Sequence, residues 1–149
     1  MTTVQIYDAK QNRVVSVAKI EKSDAEWKKL LTKKQYEITT KKRTEAPGTC
    51  TFDEVHEPGI CQCVRCGTDL FRSSTKFESG TGWPSYYEPI SSLNIMEQPD
   101  SSLGMVRTEV LCTRCGSHLG HVFNDGPLPT DKRYCMNGVT LKFLPGEQL

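Results

Sequence analysis

The chain lacks an excess of charge of either sign. Its 149 residues carry 19 Lys and Arg against 18 Asp and Glu, for a formal net charge of +1. A nucleic-acid reader concentrates positive charge on one face. The densest basic stretches here, Lys33-Lys34 and Lys41-Lys42-Arg43, read as a solvated face instead. Long apolar runs are missing too, since nothing approaches the roughly 20 residues of a membrane-spanning helix. The opening Met1-Thr2-Thr3-Val4-Gln5 has neither a basic nor an apolar leader region, so secretion is not expected. Apolar residues make up 36%, which fits a water-soluble domain of modest core. Histidine is scarce, at three. Cysteine is not scarce, at seven. With secretion not expected, these thiols are expected in the reducing cytoplasm, where an odd count and Cys-x-x-Cys spacing point to metal and catalysis before disulfides.

Local patterns suggest one domain spanning 1–149, with a hairpin and helical part over 1–43 and a β-rich part over 44–149. Two apolar-rich runs between Val4 and Ile20 flank Asp8-Ala9-Lys10-Gln11-Asn12, which reads as a hairpin. Ser23-Asp24-Ala25-Glu26 is a capping box that should open a short helix with Trp27, Leu30 and Leu31 on one side. Thr32-Lys33-Lys34-Gln35 repeats the signal and predicts a second helix through Tyr36 and Ile38. Pro47-Gly48 and Pro58-Gly59 then punctuate an extended loop that holds Cys50. Beyond Cys61, Gly, Pro and Ser break the chain into short strands. Gly104 to Leu111 alternates, with Met105, Arg107 and Glu109 opposite Val106, Thr108 and Val110, the pattern of a half-buried antiparallel strand. Thr140 to Leu144 reads as a last strand. A monomer is expected.

Four of the cysteines form two matched turns, Cys63/Cys66 followed by Gly67 and Cys112/Cys115 followed by Gly116. Four thiolates at about 2.3 Å complete the tetrahedral shell of Zn2+, and the glycine relieves strain where the backbone turns toward the sulfurs. A thioredoxin-type dithiol and unrelated buried cysteines are the competing readings. A shell of four sulfurs has no open position, so the ion should be structural and hold the β-rich part together.

Cys135 stands apart from that set, in Arg133-Tyr134-Cys135-Met136-Asn137. On a strand, alternation puts Arg133, Cys135 and Asn137 on one face and Tyr134 and Met136 on the other. A cation or hydrogen-bond donor near a cysteine favours the reactive thiolate. Taken alone, a core cysteine on a strand is the simpler reading. His118 and His121, in Ser117-His118-Leu119-Gly120-His121, shift the balance, because an imidazole supplies a proton near neutral pH. Either could instead be a satisfied core residue, or a metal ligand if the shell were not already full. Gly80-Thr81-Gly82-Trp83-Pro84-Ser85 lacks the Lys-Ser/Thr ending of a phosphate loop. It suits a sharp turn that presents Trp83 to a small apolar group, or simply packs it.

Several of these motifs in this order resemble the B-type methionine sulfoxide reductases, which reduce the R-diastereomer at sulfur. The resemblance runs from about Leu31 to Leu144. It includes Ser79 to Ser85, both Cys-x-x-Cys pairs, Cys115 to Phe123, Asp125-Gly126-Pro127 and Arg133 to Asn137. It implies a mainly β fold of two antiparallel sheets with short peripheral N-terminal helices and a structural zinc site of four cysteines. It implies Cys135 as nucleophile, His118, His121 and Asn137 binding and protonating the sulfoxide oxygen, and Trp83 with Arg133 contacting substrate. Thioredoxin or a similar dithiol would restore the enzyme. One common form of the family has a cysteine where this chain has Thr81, so the resolving thiol must lie elsewhere. Cys50 sits where some members carry theirs, and Cys61 is the competitor. Two other readings remain at this point, a non-enzymatic zinc adaptor for protein or RNA and a zinc-thiolate redox sensor.

Overall fold

The computed structural model describes residues 2–44, 58–101, 104 and 106–146. β1 (Thr3–Asp8) and β2 (Arg13–Ala18) form the expected hairpin. Its turn is set by the Asp8 carboxylate, which accepts from the Lys10 and Gln11 amides, and by Asn12 in the left-handed region at φ 51°. Both capping boxes are present. Ser23 starts α1 (Asp24–Leu30), and Thr32 starts α2 (Lys33–Lys41), each with its reciprocal Glu26 or Gln35 bond. α1 buries Trp27, and Leu31 at its C-cap packs partly against the same core, whereas Leu30 in the last turn is 64% exposed. Lys42 closes α2 in the left-handed region at φ 59°.

The rest is antiparallel sheet. β3 (Gly59–Cys63), β4 (Asp69–Arg72) and β11 (Leu141–Pro145) form a three-stranded sheet in the order β11-β3-β4. β5 (Lys76–Phe77), β6 (Ser85–Tyr86), β7 (Ile95–Asp100), β8 (Arg107–Cys112), β9 (His118–Phe123) and β10 (Arg133–Met136) form a six-stranded one in the order β5-β6-β10-β9-β8-β7. With the small hairpin as a third sheet, this is the mainly β fold with short N-terminal helices that the sequence implies. The two larger sheets meet through Phe71, stacked on Tyr86 at 4.5 Å and tilted against Tyr134 at 5.8 Å. Such ring contacts add about 0.5–1.5 kcal/mol beyond the area they bury. Leu70, Val110, Leu119, Met136 and Leu141 complete this core.

β8 departs from the expected alternation. The strand begins at Arg107, Met105 lies outside the described residues, and Glu109, Val110, Leu111 and Cys112 are all buried. An interior strand of a sheet covered on both faces loses the polar-out pattern. Here Val110 shares the core with Leu70 and Phe71 of the three-stranded sheet, while α2 packs against β9 and Glu109 meets Lys42 just beyond that helix. The hairpin is bonded to this body by side chains. Asn94 exchanges bonds with the Tyr7 backbone at 2.8 and 3.0 Å, Asp69 accepts from the Ala9 amide, and Arg114 Nε donates to the Ala18 carbonyl at 3.0 Å.

Candidate active site

The two Cys-x-x-Cys turns have the same construction. In the first, the Gly67 amide donates to the Cys63 carbonyl at 2.8 Å, and the Cys63 amide to Thr68 at 2.9 Å. In the second, Gly116 donates to Cys112 at 2.8 Å and Cys112 to Ser117 at 2.9 Å. Both glycines have positive φ, 78° and 74°, where a side chain would be strained. One turn ends β3 and the other joins β8 to β9, so the four sulfurs gather where the two larger sheets meet. All lie within 4.8 Å of one another, with Cys63–Cys115 and Cys66–Cys112 contacts of 3.6 Å. A tetrahedron with 2.3 Å arms has edges of about 3.8 Å, so the set fits a zinc-like ion. Four thiols this close compete for protons, a conflict that binding a dication as four thiolates removes.

Cys135 is not part of this cluster. It lies on β10, opposite Ser85 of β6 and His121 of β9. It opens on a cavity of about 220 Å3 lined also by Thr44, Thr81, Trp83, Arg107, His121, Phe123, Arg133 and Asn137. The turn carrying Trp83 is knit by hydroxyls. Ser79 and Thr81 share a 2.7 Å bond, Thr81 Oγ1 accepts from the Trp83 amide, and Ser85 donates to the Trp83 carbonyl at 3.1 Å. Gly80 and Gly82, at φ 76° and 87°, make that turn possible. Asn137, 3% exposed, follows β10 and donates through Nδ2 to the Leu119 carbonyl.

The histidines are three positions apart, so an uninterrupted strand would point them to opposite faces. β9 is interrupted. Leu111 pairs with His118 but Val110 with Gly120, leaving Leu119 as an extra residue. That bulge brings the rings to 5.5 Å, edge to face. Each histidine then has its own carboxylate. His118 Nδ1 lies 2.8 Å from Glu109, and His121 Nε2 lies 2.8 Å from Asp100, which is also 3.7 Å from Arg107.

Arg133 makes a two-pronged bond to Asp125, at 2.9 and 3.2 Å, and lies over the Phe123 ring at 4.4 Å. Its pairing holds the Asp125 carboxyl below the usual range. Cys135 does not gain the acidity that an adjacent arginine suggests. Burial pushes its thiol above the ordinary value, and the Arg133 charge with hydrogen bonds from Thr81 and Ser85 only partly offsets this. Burial likewise lowers His118, against the opposing pull of Glu109.

Of the residues singled out from sequence, Cys135, Trp83, His121, Arg133 and Asn137 share the cavity, and His118 stands behind His121. Cys50 lies outside the described residues. Cys61 is 4% exposed on β3, with its sulfur 3.2 Å from the Tyr86 hydroxyl. Tyr86 and Tyr134 alternate with Ser85 and Cys135, so Cys61 is on the other side of the sheet from the cavity. Glu109, Asp100 and Arg107 were not singled out. The available signal was two charges, Arg107 and Glu109, on one face of a strand running into Val110-Leu111.

Fold and site together define a β protein with four thiols placed to bind a metal ion and a separate thiol facing a small, partly aromatic cavity. The SelR domain family matches residues 31–145. The peptide methionine sulfoxide reductase MsrB of Methanosarcina barkeri is 54% identical over 129 residues, 87% of this chain and 91% of that protein. Its namesake in Leptospira interrogans is 52% identical over 124 residues, 83% and 95% respectively. Peptide methionine sulfoxide reductase B1, chloroplastic, of Oryza sativa is 57% identical over 121 residues, covering 80% of this chain and 56% of that one. The chain belongs to this family, the B-type methionine sulfoxide reductases. No helix among the described residues is long and apolar enough to cross a membrane.

Proposed function

We propose that the chain reduces the R-diastereomer of methionine sulfoxide, in proteins or free, with Cys135 as the nucleophile. The observation that carries this is one thiol opening on a cavity with Trp83, His121 and Asn137, while four others occupy a metal-shaped cluster. The Cys135 sulfur attacks the sulfoxide sulfur. A proton reaches the sulfoxide oxygen through His118 or His121, with Asn137 helping to hold that oxygen. The oxygen then passes to Cys135, methionine leaves, and sulfenic acid remains. Two electrons have moved from the cysteine sulfur to the substrate sulfur. Trp83 and Phe123 offer the substrate methyl group an apolar wall, and Arg133 fixes the cavity's edge through Asp125.

A second thiol condenses with the sulfenic acid, releasing water and forming a disulfide that a dithiol such as thioredoxin reduces. We assign that role to Cys50. Thr44 lines the cavity, and six residues of chain reach up to about 20 Å. Cys61 is disfavoured because the sheet separates it from Cys135. Cys63, Cys66, Cys112 and Cys115 would hold zinc, which with a closed shell supplies cross-linking and no reactive position. A cycle that depends on a dithiol reductant suits a reducing compartment such as the cytoplasm.

The test is methionine formation from each sulfoxide diastereomer, with and without thioredoxin. The R form should be reduced, and Cys50→Ser should yield one equivalent of methionine per enzyme and then stop. Sustained thioredoxin-dependent turnover by Cys50→Ser would remove Cys50 from the scheme, and reduction of the S form alone would overturn the assignment.

A further inference from the structure

We propose that Glu109 is a positioning residue for His118, fixing its imidazole with the proton on Nδ1 and leaving Nε2 bare to carry a proton in the reaction. The inference rests on the reading of His118 as a proton carrier in the reaction above. Glu109 is 3% exposed, in the interior strand β8. A carboxylate is retained at such a place only when paired and hydrogen-bonded. Its two oxygens have separate partners: Oε2 meets His118 Nδ1 at 2.8 Å, and Oε1 meets the Lys42 ammonium at 3.3 Å. An ionised carboxylate only accepts, so a neutral His118 must carry its hydrogen on Nδ1. Its Nε2 is then a bare acceptor, and this buried atom has no hydrogen-bond partner among the described residues. Buried polar atoms rarely stay unpaired, and an exception marks a place for a transient partner.

The arrangement differs from that of His121, whose Nε2 is already engaged by Asp100. Three groups act on the charge of His118: Glu109 from β8, His121 beside it on β9, and Lys42 from the end of α2. Burial, His121 and Lys42 oppose protonation, and Glu109 alone favours it. Glu109 therefore decides both which nitrogen is bare and how readily that nitrogen takes a proton. Lys42 acts with the opposite sign, which makes the pair separable.

The experiment uses the full chain and two readouts, histidine 15N NMR and single-turnover methionine formation as a function of pH. In the wild type, His118 should be the Nδ1–H tautomer. Glu109→Gln should mix the tautomers, slow methionine formation at least tenfold at pH 7, and move the acid limb of the rate profile to lower pH. Lys42→Gln, at a largely exposed side chain, should move that limb to higher pH. Glu109→Asp, which keeps the charge, should recover part of the rate. An Nε2–H tautomer in the wild type, or limbs moving in one direction in both Gln variants, would overturn the proposal. If Glu109→Gln does not fold, the Lys42→Gln shift and the wild-type tautomer decide alone. A tautomer that changes with no change in rate, together with an unimpaired His118→Asn, would instead refute the role of His118.

Discussion

The four-cysteine cluster is two copies of one turn, each closed by a glycine amide at 2.8 Å and each complete within five residues. The Cys135 cavity has no such unit. Its walls come from the end of α2, the Trp83 turn, β8, β9 and β10, and its charges are set by Glu109, Asp100 and Asp125 on different segments. One sulfur site is made by local backbone geometry, and the other by the register of a sheet. The difference implies that the first should survive changes around it until a ligand is lost. The second should fail when a strand shifts by a fraction of an ångström, even with every functional side chain present.

The sharpest break in that comparison is to remove a ligand. Zinc binding at such sites involves free energy on the order of 10 kcal/mol. Cys112→Ser should lose stoichiometric metal, measured by elemental analysis, together with cooperative thermal unfolding. Retained metal and an unchanged melting curve would contradict a structural cluster. Cys135→Ser should do the reverse. It should abolish methionine formation and change stability by less than about 1 kcal/mol, because the substitution is nearly isosteric and lies at a cavity wall. Were Cys135→Ser also to release the metal, the two sites would not be separate.

A smaller effect probes the register itself. Gly120 is the residue of β9 opposite Met136, and a Cβ there would run into the Cys135 carbonyl oxygen and meet Met136 Cα at 2.9 Å. These are backbone atoms that cannot turn aside. Gly120→Ala should therefore displace β10 from β9, destabilise by about 1–3 kcal/mol in a denaturant titration, and reduce single-turnover methionine formation. The metal content should stay the same. Wild-type activity in Gly120→Ala would show that the site tolerates a moved strand.

How much was legible follows the same division. The Cys-x-x-Cys turns, both capping boxes and the hairpin could be read directly, because each is decided by residues within a few positions of one another. So could the shared face of Arg133 and Cys135, which needs only alternation. The approach of His118 to His121 could not, since it depends on a bulge opposite Val110 and Leu111, and period-two reasoning places the rings apart. The carboxylates behind them were equally hidden. Glu109 reads as the polar face of a half-exposed strand until the strand is known to be interior. The acidity of Cys135 is hidden for a related reason. The neighbouring arginine is visible in sequence, but the burial that outweighs it and the Asp125 that engages it are products of the fold.

That last point gives the mildest prediction and the one most specific to the cavity. With its folded value raised, Cys135 binds its proton more tightly than a cysteine in the unfolded chain. Below the ordinary thiol value, near 8.5, the fold keeps whatever stability this contributes, and it loses that stability as pH climbs past the raised value. Reactivity has the opposite trend. Iodoacetamide attacks the thiolate, so alkylation of Cys135 at pH 8, followed by peptide mass spectrometry, should run several-fold to about tenfold slower than in the denatured chain and still be rising above pH 9. Arg133→Met removes the charge that partly offsets burial and should slow it further. A rate that levels off below pH 8 would mean that Arg133, Thr81 and Ser85 outweigh burial after all. Cys135 would then rest as a thiolate, with the substrate's proton having to come from a histidine alone.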